Sequence, residues 1–252
     1  MQHWELILFF AVIAFVYASV GFGGGSSYLA ILAVYELPFQ EIKLTALICN
    51  IIVVTGGTII YIRHKNVNWK KILPLVLVSV PMAFLGAKMK LSQDVFFIIL
   101  GCSLLTAAIL LWIKTKNVLP ATIEKPNYVR DGLLGGIIGF LSGLVGIGGG
   151  IFLSPLLNLI KWDDPKKIAA TASLFILVNS ISGIAGQVTH LQGNIDYTRI
   201  GILCIAVLVG GQIGSRLGAI KFNPLTVRRM TAVLVFAAGV EVLIKHASHV
   251  IK

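Results

Sequence analysis

Two glycine clusters carry most of the chemistry this sequence offers. The first reads Gly21-Phe22-Gly23-Gly24-Gly25-Ser26-Ser27 and the second Gly146-Ile147-Gly148-Gly149-Gly150, each in the middle of an over-long apolar segment, Leu6–Leu37 and Gly132–Ile160. A glycine run frees backbone N–H groups, and a half-helix that restarts beyond it aims its positive dipole end at the gap. Non-helical backbone at membrane depth persists only where protein or a water-filled cavity satisfies its polar groups. Two such ends meeting near the midplane would bind a small anion without burying a lysine. The candidate donors are the backbone of Gly23, Gly24, Gly25, Gly148, Gly149, Gly150 and Ile151, with the hydroxyls of Ser26 and Ser27. Small residues also let membrane helices pack closely. Recurrence at matching positions of two over-long segments favours a binding site over packing alone.

Other chemistries lack their residues. No Gly-Lys-Ser/Thr follows either cluster, which excludes a nucleotide P-loop. A dinucleotide fingerprint would need a preceding strand and a following acidic residue. No His/Cys/Asp/Glu set has metal spacing and no Ser-His-Asp or HExxH pattern occurs, so neither an enzyme nor a cofactor is expected. Cys49, Cys102 and Cys204 lie far apart in apolar runs and read as packing residues.

Polar residues on the helices that follow the clusters extend the candidate site. Thr45 and Asn50 follow the first; Thr171, Ser173, Asn179, Ser180, Ser182 and Gln187 follow the second. Helical spacing puts Thr171, Phe175, Asn179 and Ser182 near one face. Interhelical hydrogen bonding accounts for most hydroxyls. Asn179 is costlier to bury, so it, Thr45, Thr171 and Asn50 join the ligand candidates; Asn50 is the nearest counterpart of Asn179, three residues out of register. Lys88 and Arg216 sit at helix ends, where long side chains snorkel, with an anion antechamber the sharper alternative. Glu241 reads as a partner of Lys245 at i+4, and His64 and His190 as interfacial, with proton coupling their sharper alternative.

The elements that position these residues follow from composition. The 252 residues are 57% hydrophobic and 12% charged, with mean hydropathy +0.91, against roughly 25% charged in soluble domains. So much apolar surface cannot be hidden inside a fold of this size, and an all-α polytopic membrane protein is predicted. The net charge of +11 comes from lysines and arginines in short loops, where they set orientation and meet anionic head groups; nucleic acid is not a partner. The N-terminus lacks the basic region of a cleavable signal, so the first apolar segment is expected to be retained. Besides the two broken segments, spans are expected at about 43–62, 71–90, 94–113, 167–189, 199–219 and 225–244, since a crossing takes about 20 apolar residues.

The second half repeats the first. Gly23–Gly25 falls on Gly148–Gly150, Thr45-Ala46 on Thr171-Ala172, Gly57 on Gly183, Asn66–Trp69 on Asn194–Tyr197, and Gly86–Lys88 on Gly214–Arg216. The halves are expected at 1–115 and 132–252 with a connecting loop at 116–131. Charge tests their relation. If each broken segment is a re-entrant hairpin with limbs of about 12 to 15 residues, each half crosses three times and the halves are inverted. Of the 21 Lys and Arg, only Lys43, Lys88, Lys90, Arg199, Lys245 and Lys252 then fall on one side, as the positive-inside rule requires. The expected architecture is thus two homologous halves, each a re-entrant hairpin plus three spanning helices, forming an inverted repeat.

Gly146–Gly150 followed by Phe152-Leu153-x-Pro155-Leu156-Leu157, then Ala170–Leu174, Ser182-Gly183 and Gly193–Asp196, resembles the signature of the TauE/SafE sulfite-exporter family. The first half carries a weaker form in Gly23–Ser27, Thr45-Ala46 and Asn66–Trp69. The resemblance implies a secondary permease for small anions such as sulfite or organosulfonates, commonly outward and proton-driven; with no organelle signal in the sequence, a bacterial or archaeal inner membrane is expected. Ser173 is matched by Leu47 and the residues after the clusters differ, so a bound anion would be held asymmetrically. The partners this implies are a small anionic substrate, the lipid bilayer and coupled protons, with a homodimer left open. The alternatives are an uncoupled anion channel or facilitator and a non-transporting membrane component.

Overall fold

The computed structural model describes residues 4–19, 21–35, 37–113, 127–189, 195–221 and most of 232–244. Among these, every regular element is helical. The helices are α1 (Glu5–Ala18), α2 (Gly25–Val34), α3 (Phe39–Arg63), α4 (Trp69–Lys88), α5 (Gln93–Ile113), α6 (Tyr128–Val145), α7 (Gly150–Leu159), α8 (Pro165–Val188) and α9 (Tyr197–Lys221), with further helical residues between 232 and 244. Long apolar side chains including Leu8, Val12, Leu77, Ile109, Leu133 and Ile205 point outward. An apolar exterior of this extent is a lipid-facing one.

Six helices are long and apolar enough to cross a membrane: α3, α4, α5, α6, α8 and α9. Five are spans expected from hydropathy. The sixth expected span, at 225–244, falls partly outside the described residues, as do most of the 116–131 loop, His190 and the Glu241–Lys245 pair. The broken segments have unequal limbs, unlike the similar ones expected. The first limbs have 14 and 18 residues and the second 10 each. Helix α6 gains its length by starting at Tyr128, where the Asn127 side chain accepts from the Arg130 N–H and caps it.

Helix directions follow from which residues meet. Gly135, Gly139 and Gly143 of α6 lie against the backbone of Leu75, Ser79 and Ala83, so α6 runs parallel to α4. Gly210 and Gly214 of α9 lie likewise against Ala11 and Phe15 of α1. These small-residue stripes bring backbones into direct contact, the main source of helix affinity in lipid. Arg199 meets Glu41 and Gly211 meets Val53, making α9 parallel to α3. Between α3 and α8 the order reverses: Gln40 pairs with Gln187, Leu47 with Gly183 and Thr58 with Ser173. These two helices, equivalent by the sequence repeat, run antiparallel.

The broken segments therefore turn back on themselves. Helix α2 starts level with Asn50, halfway along α3, and its last residue lies five residues before the start of α3. Helix α7 starts level with Ile176, halfway along α8, and leads back to the start of α8. The outer limbs α1 and α6 expose one face, whereas Gly25–Ala30 and Gly150–Pro155 of the inner limbs are buried throughout.

An ion pair ties each end. At one, Lys71 of α4 reaches Asp163, at 3.4 Å, and the Trp162 carbonyl in the loop between α7 and α8. At the other, Arg199 of α9 reaches Glu41 at 2.9 Å. Lys71 and Arg199 are repeat equivalents. Burial raises the proton affinity of the Asp163 carboxylate, but the Asp164 N–H, the Asn68 amide and the ammonium groups of Lys71 and Lys167 together hold its pKa below the ordinary aspartate value. A depressed pKa stabilises the fold above the unfolded-state value, and the benefit fades as pH falls through the folded-state value. Asp163→Asn should cost about 3 kcal/mol, because Lys71 stays buried without its anion. Thermal melts in detergent should show a lower Tm for the variant at pH 7 and a gap from wild type that shrinks in acid.

Candidate functional site: the facing glycine breaks

The site is built at the midpoints of α3 and α8. Gly24 and Gly149 take left-handed φ values of 85° and 80° and cap the N-termini of α2 and α7. A non-glycine residue there would be strained. Both inner helices therefore begin deep in the bundle. Among the described residues, no acceptor engages the backbone N–H of Gly23, Gly24, Ser26, Gly148, Gly149, Gly150 or Ile151. Unpaired donors at two converging helix starts make a field suited to an anion.

Asn50 ties the two breaks together. Its Oδ1 accepts from the Gly25 N–H at 2.8 Å, and its Nδ2 donates to the Ile147 carbonyl at 2.9 Å. A Cβ placed on Gly23 or Gly25 would collide with its amide, and one on Gly148 would lie 2.9 Å from its Nδ2. Across from it stands Ile176, which touches the same Gly23 and Gly148 and also Gly150. Asn50 and Ile176 are repeat equivalents, so one amide serves both breaks and the opposite wall is apolar.

The predicted residues divide into those brought to the breaks and those used elsewhere. The seven backbone candidates and Asn50 are together. Ser26 and Ser27 are buried beside the first break, but Tyr17 holds their hydroxyls, at 3.4 and 2.7 Å. Thr45 is buried on α3. Thr171 Oγ1 and Asn179 Oδ1 are buried without a protein partner, and Asn179 Nδ2 donates to the Phe175 carbonyl of its own helix. Asn179 is thus not the counterpart of Asn50; Ile176 is. Ser182, expected on the same face as Thr171, donates instead to the Val80 carbonyl of α4.

Three residues that were not ligand candidates, Ser180 among the polar residues noted on α8, belong to the site. Ser180 Oγ lies 2.9 Å from where a Gly148 Cβ would stand, and Ser142 flanks Gly149; both hydroxyls are buried without partners. A residue four after Ile176 falls on the same helix face, a signal that places Ser180 at the break and not merely on a packing face. The third is Lys43. It was placed with the residues that set orientation, yet it is 4% exposed. Its Nζ donates to the Leu144 carbonyl at 3.0 Å, just ahead of the second break. An anion site was expected to manage without a buried lysine; a lysine is buried beside it. Lys88 is exposed at the end of α4 as expected, while Arg216 is exposed more than a turn before the end of α9.

Comparison with known proteins shows what this chain is similar to. The family model described as "Sulfite exporter TauE/SafE" matches residues 6–242. A protein of Sinorhizobium fredii named "Probable membrane transporter protein y4hK" is 32% identical over 94% of this chain and 97% of its own. "Probable membrane transporter protein YunE" of Bacillus subtilis is 28% identical, covering 79% and 81%. "Probable membrane transporter protein MJ0441" of Methanocaldococcus jannaschii is 25% identical, covering 77% and 76%. No solved structure matches.

Proposed function

The chain belongs to the sulfite-exporter TauE/SafE family, a multi-pass membrane family, and on that premise we propose that it is a secondary transporter of small anions, sulfite or organosulfonates, working by alternating access around the paired glycine breaks. The observation that carries this reading is the convergence of two buried helix N-termini, with unpaired N–H groups, at the midpoints of α3 and α8. Backbone donors bind oxyanions at a helix start by charge and geometry together, and a discontinuous helix near the midplane is where transporters place their substrate.

The inverted relation of the halves is supported by the antiparallel contact of α3 with α8 and by the turn-back of each broken segment. In an inverted repeat, each half can adopt the conformation of the other, which exposes the central site to the opposite face. The Lys71–Asp163 and Arg199–Glu41 pairs, one at each end and with basic partners that are repeat equivalents, are ties that such an exchange would make and break alternately.

The test is flux of labelled sulfite into proteoliposomes with and without an imposed proton gradient, competed by sulfate, sulfonates and carboxylates. Gradient-dependent accumulation blocked by one competitor class is the expected result. Flux that only equilibrates would replace coupled transport with facilitated passage. No flux for sulfite or any competitor would remove the anion assignment.

A further inference from the structure

Lys43 has surroundings that orientation does not explain. Its ammonium is taken from water at the end of the bundle where α3 and α9 start. It faces the rings of Phe39 and Phe96, with centroids at 5.6 and 5.5 Å, and one carbonyl, that of Leu144. Among the described residues no carboxylate lies within ion-pair distance of it. Intramembrane charges are costly and ordinarily paired, and two aromatic faces with one carbonyl compensate only part of the desolvation.

The charge borders a cavity of about 250 Å³ lined by Gln40, Lys43, Lys90 and Gln187 with Phe39 and Met89 among its apolar walls. Gln187 Nε2 donates to the Gln40 carbonyl, which leaves its Oε1 buried without a donor. The cavity therefore offers two ammonium groups, and the Gln187 side chain in its wall carries an acceptor without a donor. A hydrated or singly protonated oxyanion satisfies that set, accepting from the lysines and donating to the amide. Lys43 also links the cavity wall to the second break. Lys43 is bonded one residue before Val145, the last of α6, and its side-chain carbons lie 3.6 Å from where a Gly146 Cβ would stand.

We propose that this cavity is a second, one-sided anion site: an oxyanion binds between Lys43 and Lys90, and Lys43 exchanges its bond to the Leu144 carbonyl for the anion before passing it to the N–H groups beyond Gly146. The site is one-sided because the repeat equivalent of Lys43 is Ala169, which stands beside Gly21 and Tyr61 with no charge to offer. The inference rests on the anion-transport reading above and adds a loading site to it.

Sidedness provides the test. In oriented proteoliposomes, half-saturation for sulfite is measured from each face for wild type, Lys43→Gln, Lys43→Arg and Lys90→Gln. Lys43→Gln should raise KM at least tenfold from the face where α3 starts and less than twofold from the other. Lys43→Arg should keep most of the affinity. Lys90→Gln, an exposed rim change that does not burden folding, should raise KM two- to threefold from the same face. Unchanged KM in both glutamine variants, or an equal rise from both faces, would overturn the second site. Wild-type sulfite flux that Gly149→Leu abolishes and Lys43→Gln leaves alone would sink only this inference; absence of wild-type flux would sink the transport reading with it.

Discussion

Leucine at position 149 should abolish anion flux while the protein still inserts and purifies as a single species. At φ 80° an L-residue costs roughly 1–2 kcal/mol. The new Cβ would lie 2.9 Å from the Phe175 ring and 3.1 Å from Ser142 Cβ. The side chain would press into the wall formed by Phe175, Ser142 and Ile138, and making room for it would displace the turn that carries the N–H groups of Gly148 and Ile151. Gly24→Leu should act alike, since its Cβ would lie 2.9 Å from the Tyr28 ring at φ 85°. Losing even two charge-oriented donors, at about 1.5–3 kcal/mol each, is a loss of a hundredfold or more in anion affinity.

Two further leucines separate blockage from misfolding. Gly201 has nothing within 4 Å of an added Cβ, so Gly201→Leu should transport as wild type does. Gly143 lies against the Ala83 backbone, so Gly143→Leu should part α6 from α4 and leave no folded protein to assay. Normal flux in both Gly24→Leu and Gly149→Leu would take the glycine breaks off the transport path.

Asn50→Asp should be the other severe change, and by charge rather than size. The carboxylate can still accept from the Gly25 N–H, but it cannot donate to the Ile147 carbonyl, and it sets a negative charge beside the donors meant for an anion. Two like charges about 5 Å apart at an effective dielectric near 20 repel by about 3 kcal/mol, a loss of more than a hundredfold in sulfite binding at pH 8. Protonating the new carboxyl restores a donor for Ile147, so residual flux should rise as pH falls. Asn50→Leu would instead leave the Gly25 N–H and the Ile147 carbonyl unpaired, at about 1–3 kcal/mol each, and should lower Tm. Wild-type binding by Asn50→Asp at pH 8 would mean that the anion does not approach Asn50.

Hydropathy, the paired glycine clusters and the internal repeat were legible because each is written in consecutive residues. A run of 20 apolar residues has few alternatives to a membrane helix, and a triple glycine in such a run has few alternatives to a break. Asn50 was legible as a costly polar residue, though matched to the wrong partner, because register between distant helices is set by packing and not by spacing along one chain. The limb lengths were misjudged for a related reason. Where a half-helix stops depends on the partner that covers it, and α6 has the full length of α4 to lie against.

Lys43 marks the boundary between the two kinds of knowledge. As a residue at the head of an apolar span it reads as interfacial, and nothing nearby in sequence contradicts that. Its burial arises because Leu144 and Gly146, a hundred residues away, fold back over it with Phe39 and Phe96. The same holds for Lys71, which is basic loop chemistry in one dimension and the partner of Asp163 in three. The sequence was sufficient for the membrane class, the duplication and the breaks, since lipid leaves a backbone few ways to satisfy its hydrogen bonds. Only the packing decided which side chains face those breaks, because charge pairing and burial are properties of contacts that no local pattern contains.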